Sequence, residues 1–202
     1  MIRILLIRHG TTDPMSRMLC GRLPGIHLND LGIREAKVLG HALRGRYSVS
    51  EIIASPLERA LDTASAIEQA TGAAVRIDED LHELDYGAWT GMTFDTIRDL
   101  DSWQLYNRSR AMSAPPHGES MIAVQLRALS ALERILERWH TSENVTVAVV
   151  THGDVIRSLL VLFLGMPIDY IHRLSVSPCS VSEVAFENRY TTVVRTNQNF
   201  YE

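Results

Sequence analysis

Two short apolar runs in this chain each stop at a histidine followed by glycine. Ile4-Leu5-Leu6-Ile7 leads into Arg8-His9-Gly10, and Val147-Ala148-Val149-Val150 leads into Thr151-His152-Gly153-Asp154. A short β-rich run bounded by a polar residue and a glycine reads as a buried strand that delivers a side chain at its end. In open α/β sheets, ligands bind in the crevice beyond the carboxyl ends of the strands. Two such strands lying side by side would bring His9 and His152 together, with Arg8 beside them. That grouping suits the capture of a phosphoryl group on a histidine.

The rest of the chain supplies the alternation such a sheet needs. Ile2–Ile7, Ile52–Ala54, Ala74–Ile77 and Val145–Val150 read as strands, and Val181–Phe186 with Tyr190–Arg195 as a closing hairpin turning at Glu187-Asn188-Arg189. Helices fall between them. Asn29 is placed to cap Asp30–Arg44, and Ser55-Pro56-Leu57-Glu58 combines an N-cap serine, a first-turn proline and a capping-box glutamate. Apolar residues at three- and four-residue steps mark a long helix over Glu119 to His140, and a further helix runs from Gly153-Asp154 to Leu164, ended by Gly165 and Pro167. The predicted fold is α/β: a three-layer α/β/α arrangement around a mostly parallel sheet. One domain spans 1–202, with a small helical and loop insertion at 84–118, over the active site, that carries Trp89, Trp103 and Tyr106.

Composition narrows the partners. A formal net charge of −4 argues against nucleic acid or an anionic membrane surface. Cys20 and Cys179 are the only cysteines, with no zinc spacing around them, so free thiols are expected, and no metal or other cofactor. The opening apolar stretch runs straight into Arg8-His9 and does not read as a signal peptide, and Leu159–Leu164 is far shorter than the ~20 residues of a membrane span. The expected setting is cytoplasmic, with a small phosphorylated substrate as partner and a homodimer as the default assembly at this size.

His9 is the candidate nucleophile: a neutral imidazole can attack phosphorus in line and split one displacement into two. It must carry its proton on one nitrogen while the other is free, and neighbouring arginines disfavour the imidazolium. Gly10 is placed to offer the carbonyl that orients the ring. Arg59, in the first turn of its helix, joins Arg8 as a forked phosphate donor, while His152 and the helix start at Gly153 add further donors. A leaving alkoxide needs a proton, and Glu83 or Asp85 in Leu81-His82-Glu83-Leu84-Asp85-Tyr86-Gly87 can supply it. Arg17, Arg22, Arg108 and Arg110 read as solvated, and His27 and His117 sit in loops expected near the pocket rim.

These pieces resemble the histidine phosphatase superfamily, the phosphoglycerate-mutase-like proteins, and its phosphatase branch in particular. Leu6-Ile7-Arg8-His9-Gly10-Thr11-Thr12 is similar to its opening motif, Ser55-Pro56-Leu57-x-Arg59-Ala60 to its second segment, and Glu83-x-x-x-Gly87-x-Trp89-x-Gly91 to its acid-bearing segment. Gly118-Glu119-Ser120 and Thr151-His152-Gly153 with Arg157 follow in family order, so the resemblance covers nearly the whole chain. It implies His9 as phosphoacceptor, Arg8, Arg59 and His152 as the phosphate pocket, Glu83 rather than Asp85 as proton donor, and no metal. Substrate contacts are expected from Arg8, His9, Thr12, Arg59, His152 and Gly153. The chain departs from the pattern at Met15, where many members carry asparagine, and across Cys20–Leu28; a shifted loop would bring Thr12, Asp13 or Ser16 into the asparagine's place. The implied activity is a metal-independent phosphomonoester hydrolase, histidine acid phosphatase-like, working through phosphohistidine. A phosphoglycerate-mutase-type phosphomutase, a phosphate-binding pseudoenzyme and a metal hydrolase built on His9, His152 and Asp154 are the alternatives. Leaving-group specificity is expected in the insertion around residues 90–120.

Overall fold

In the computed structural model, which describes residues 1–187 and 190–200, strands β1 (Ile2–Arg8) and β4 (Val145–Thr151) lie next to each other at the centre of one sheet. They pair in parallel with Arg8 opposite Thr151, so both end at the same level. Strands β2 (Val49–Ala54), β3 (Val75–Ile77), β5 (Val181–Glu187) and β6 (Tyr190–Gln198) complete the order β3-β2-β4-β1-β5-β6. The β3, β2, β4 and β1 pairings are parallel, while β5 runs antiparallel to β1 and β6 antiparallel to β5. The sheet is therefore mostly parallel, closed on one side by a hairpin, as the alternation of strands and helices implies. The expected hairpin turn includes Asn188 and Arg189, which lie outside the described residues.

Both faces of the central strands are covered. On one face Leu5 and Ile7 pack with Leu39 and Leu43 of α1 (Asp30–Arg46) and with Ala60, Ala64 and Ile67 of α2 (Glu58–Thr71). Between α2 and the next long helix, the short helices α3 (Phe94–Ile97) and α4 (Asp101–Arg108) fall within residues 84–118. On the other face Ile4 and Leu6 pack with Val124, Ala128 and Leu132 of α5 (Met121–Trp139) and with Ile156 and Leu160 of α6 (Gly153–Phe163). Alternation along a strand sends successive side chains to opposite faces, so continuous apolar runs are what a sheet buried on both sides requires. Each of these fully buried Leu or Ile side chains contributes about 1.5–3 kcal/mol.

Local signals fixed several boundaries. Asn29 caps α1, its side chain accepting from Gly32 N, and Ser120 caps α5 by accepting from Ala123 N. The start of α2 differs from expectation: the helix begins at Glu58, with Leu57 at the cap position. Ser55 N donates to Val150 O, which keeps Ser55 in line with the sheet, and its hydroxyl lies 2.7 Å from His152 Nε2 with only a long 3.4 Å contact to Leu57 N at the helix end. Strand β2 also starts three residues earlier than its apolar core, through Glu51, whose buried carboxylate accepts from Arg138 Nη1 at 2.6 Å. Among the described residues no helix is long and apolar enough to cross a membrane.

Candidate active site

The carboxyl ends of β1 and β4 place the two histidines as the register requires. His9 N donates to Thr151 O at 3.0 Å, and the His9 and His152 rings meet edge to face with centroids 5.2 Å apart. His9 Nδ1 faces Gly10 O at 2.8 Å, and a carbonyl only accepts, so Nδ1 carries the proton and Nε2 the lone pair. Arg59 Nε reaches that same Nε2 at 3.3 Å. Burial, then Arg59 and Arg8, hold the His9 pKa well below the usual imidazole value, so the ring is neutral at pH 7.

The turn that fixes this ring is itself clamped. Thr63 on α2 accepts from Gly10 N at 3.1 Å and donates to Arg59 O at 2.8 Å, linking the orienting carbonyl to the arginine's own helix. Glu35 on α1 accepts from both Thr11 N and Thr11 Oγ1. The loop runs so close to α1 that a Cβ on Gly32 would collide with the Thr11 carbonyl, which is why this helix begins with a glycine in its first turn.

Arg8, His9, Thr12, Arg59, Glu83 and Gly153 line one pocket of about 250 Å³. His152 lies beneath it, fully buried against His9. Arg8 anchors one end of its fork on Val176 O at 2.7 Å, and Arg59 anchors on Gly21 O at 2.7 Å. Ser55 Oγ, which accepts weakly from Leu57 N at 3.4 Å, lies 2.7 Å from His152 Nε2; with the hydroxyl donating to Nε2, the neutral ring carries its proton on Nδ1. Burial and Arg59 lower the His152 pKa well below its usual value. Arg8 Nε, Arg59 Nη1 and His152 Nδ1 are all buried without a hydrogen-bond partner among the described residues. An unmet buried donor costs about 1–3 kcal/mol, more when charged, so three in one place mark a cradle for an anion. Gly153 opens α6 against the Arg8 guanidinium, whose Nε would lie 3.4 Å from a Cβ there, and so adds a helix N-terminus to the same cradle.

Glu83 is half-buried at the pocket wall, with Oε1 accepting from Leu84 N at 2.9 Å. Desolvation, then the nearby Asp154 carboxylate, raises its pKa to about 7. Such a group can give a proton near neutrality and take one back. Asp85 instead accepts from Gly87 N in a turn. The backbone of Glu83 is clasped from α5: Arg127 donates to the carbonyls of Asp80, His82 and Glu83, and Glu119 accepts from both Arg127 and Arg22. Arg22 donates in turn to Glu83 O at 2.9 Å. Sequence reasoning did not find this clasp, because a helix arginine and a cap-adjacent glutamate carry no pattern of their own.

A second cluster was missed as well. Arg110, read as solvated, is 1% exposed. It reaches Asp154 Oδ2 at 3.3 Å and contacts Asn107 Oδ1 and His172 Nε2, while Tyr86 and Arg157 also donate to Asp154. Burial opposes the charge on Asp154, but Arg110 and Arg157 outweigh it and hold the carboxyl down to about 2. Asp154 is thus turned to two arginines, and among the described residues no cluster of three or more His, Cys, Asp or Glu could hold a metal ion. Met15, at the position where asparagine was noted, sets its Sδ 3.0 Å from Arg8 Nη2. Thr12 enters the pocket, whereas Asp13 accepts from Asn29 Nδ2 and Ser16 is exposed. His27 pairs with Asp62 away from the pocket, and His117 lies in a turn outside it; Arg17 and Arg108 are exposed as expected. Both cysteines are free, Cys179 buried and Cys20 at the pocket edge.

The sequence pattern of the histidine phosphatase superfamily, branch 1, matches residues 4–199. The chain belongs to that superfamily. Within it, the chain is 34% identical to a glucosyl-3-phosphoglycerate phosphatase of Mycolicibacterium vanbaalenii over 83% of its own length and 76% of that protein's. It is 35% identical to the bifunctional protein Rv2228c of Mycobacterium tuberculosis over 98% of its own length, and spans only about half, 54%, of that relative. The solved structure of Bacillus stearothermophilus YhfR superposes with a TM-score of 0.87 at 30% identity, covering 96% of each chain.

Proposed function

We propose that the chain is a metal-independent phosphomonoester hydrolase that works through a phosphohistidine at His9. The observation that carries this reading is the neutral His9 ring, its Nε2 lone pair set beside three buried donors, Arg8 Nε, Arg59 Nη1 and His152 Nδ1. In the first step Nε2 attacks phosphorus, the bond from phosphorus to the leaving oxygen breaks, and the Glu83 carboxyl gives that oxygen its proton. The three donors, with the α6 N-terminus at Gly153, meet the charge on the equatorial oxygens, where most of the stabilisation of phosphoryl transfer lies. In the second step the Glu83 carboxylate takes a proton from water, the water oxygen bonds to phosphorus, and the phosphorus–nitrogen bond breaks. Inorganic phosphate leaves and His9 regains its lone pair. The cationic walls of the pocket disfavour a divalent metal ion and favour a dianion.

The test is incubation with a panel of phosphorylated metabolites, including the glucosyl-3-phosphoglycerate named for the Mycolicibacterium relative. Release of inorganic phosphate, lost in His9→Ala, is the expected result. Isomerised product without phosphate release would make the protein a mutase, and phosphate binding without turnover would make it a binding protein; either would overturn the hydrolase reading.

A further inference from the structure

Beside the arginines, the pocket has a wall of another character. Met15, Met18, Leu19, Phe94 and Trp103 line it, and Phe94 is 37% exposed while Met15, Met18 and Trp103 are half-buried. The wall is built rather than incidental. Residues 17–19 are zipped to 91–94: Leu19 N donates to Met92 O, Gly91 N to Leu19 O and Phe94 N to Arg17 O, with Met18 bridged to Thr93. Trp103 is braced edge to face on Trp89 at 5.4 Å, and Trp89 in turn on Tyr106. On the polar side Arg110 and Arg157 direct their forks to Asp154, Asn107 and the Leu174 carbonyl.

Resting on the hydrolase reading above, we infer that the leaving group of the preferred substrate is an alcohol with an extended apolar or aromatic body, which lies on the shelf of Met15, Met18, Phe94 and Trp103 while its phosphate sits between Arg8 and Arg59. Apolar side chains left open to solvent beside a charged cradle gain only when an apolar group covers them. Methionine suits such a surface because its flexible thioether adapts to irregular partners. The shelf thus divides the pocket in two: the cradle accepts any phosphate, and the shelf selects what the phosphate is attached to.

The n-alkyl phosphates from ethyl to octyl test this, since their alcohols are equally poor leaving groups and only apolar length varies. The inference predicts that kcat/KM rises by about two- to fourfold per added methylene until the shelf is covered, and exceeds that for phosphoglycerate or O-phosphoserine. Phe94→Ser and Met18→Ser should each lower the octyl-to-ethyl ratio by at least about threefold, a ratio that does not depend on the fraction of active enzyme. Hydrolysis with no chain-length dependence, or a preference for the phosphorylated acids, would overturn the inference and leave the hydrolase reading intact. No hydrolysis of any phosphomonoester and no phosphate on His9 would overturn both.

Discussion

Glu83 and Asp154 divide one buried negative charge unequally. Asp154 is ionised by Arg110 and Arg157, and its charge together with desolvation keeps Glu83 protonated up to about pH 7. A protonated Glu83 is the form that gives a proton to an alkoxide, so kcat for an alkyl phosphate, where phosphorylation limits, should fall as pH rises through about 7. Asp154→Asn removes the charge that raises Glu83 and leaves Arg59 and Arg8 to lower it. The alkaline limb should therefore move to lower pH; a limb that stays in place would detach Glu83 from this pair. Glu83→Gln should reduce alkyl phosphate turnover by about 10²–10⁴-fold. With 4-nitrophenyl phosphate, whose leaving group needs no proton, the same variant should form phosphoenzyme and stall, because water then lacks its base. Rapid-quench measurement of nitrophenol against phosphate reads the difference.

At the level of elements, α5 reaches across to fix the acid. Arg127 holds the carbonyls of Asp80, His82 and Glu83 from one fork, with Glu119 aligning the fork. Displacing a reacting group by about 1 Å can cost about 10²-fold. Arg127→Ala should lower kcat by about 10–100-fold with little change in KM and should shift the alkaline limb of the pH profile, whereas a merely structural arginine would leave that limb where it is. Arg127→Lys should not restore the rate, since an ammonium lacks the planar fork. Strands β1 and β4, the cap Asn29, and the meeting of His9 with His152 were legible because each rests on a local signal: an apolar run, an oxygen at a helix end, a glycine after a histidine. Ser55 misled because its capping pattern was genuine but its hydroxyl was needed by His152, a partner 97 residues away. Arg110 and Arg127 were illegible for a related reason. Their partners come from distant segments, and nothing beside them in the chain marks them as buried.

For the whole molecule, the site imposes a pH dependence on folding. His9 and His152 resist protonation when folded, so as pH falls below their usual value of 6.5 the unfolded chain binds protons that the folded one does not. Their contribution to stability is fully present above 6.5 and is lost progressively below it. Glu83 acts in the opposite sense: between 4.5 and about 7 the folded chain keeps a proton that the unfolded one releases. Two histidines outweigh one carboxyl, so denaturant midpoints should rise from pH 5 to pH 6.5, and the double variant His9→Asn, His152→Asn should flatten that rise. Above pH 7 Glu83→Gln should raise the midpoint, since it removes the cost of a half-buried carboxylate beside Asp154. Both effects come from groups placed for chemistry rather than for folding, and the first depends on a neutral His9. The most direct check is to quench the enzyme during turnover of a ³²P-labelled phosphomonoester and map the label. An alkali-stable, acid-labile phosphate on the peptide containing His9, absent from His9→Ala, is the predicted result. Steady turnover with no covalent phosphate at His9, or equal turnover in His9→Ala, would contradict it.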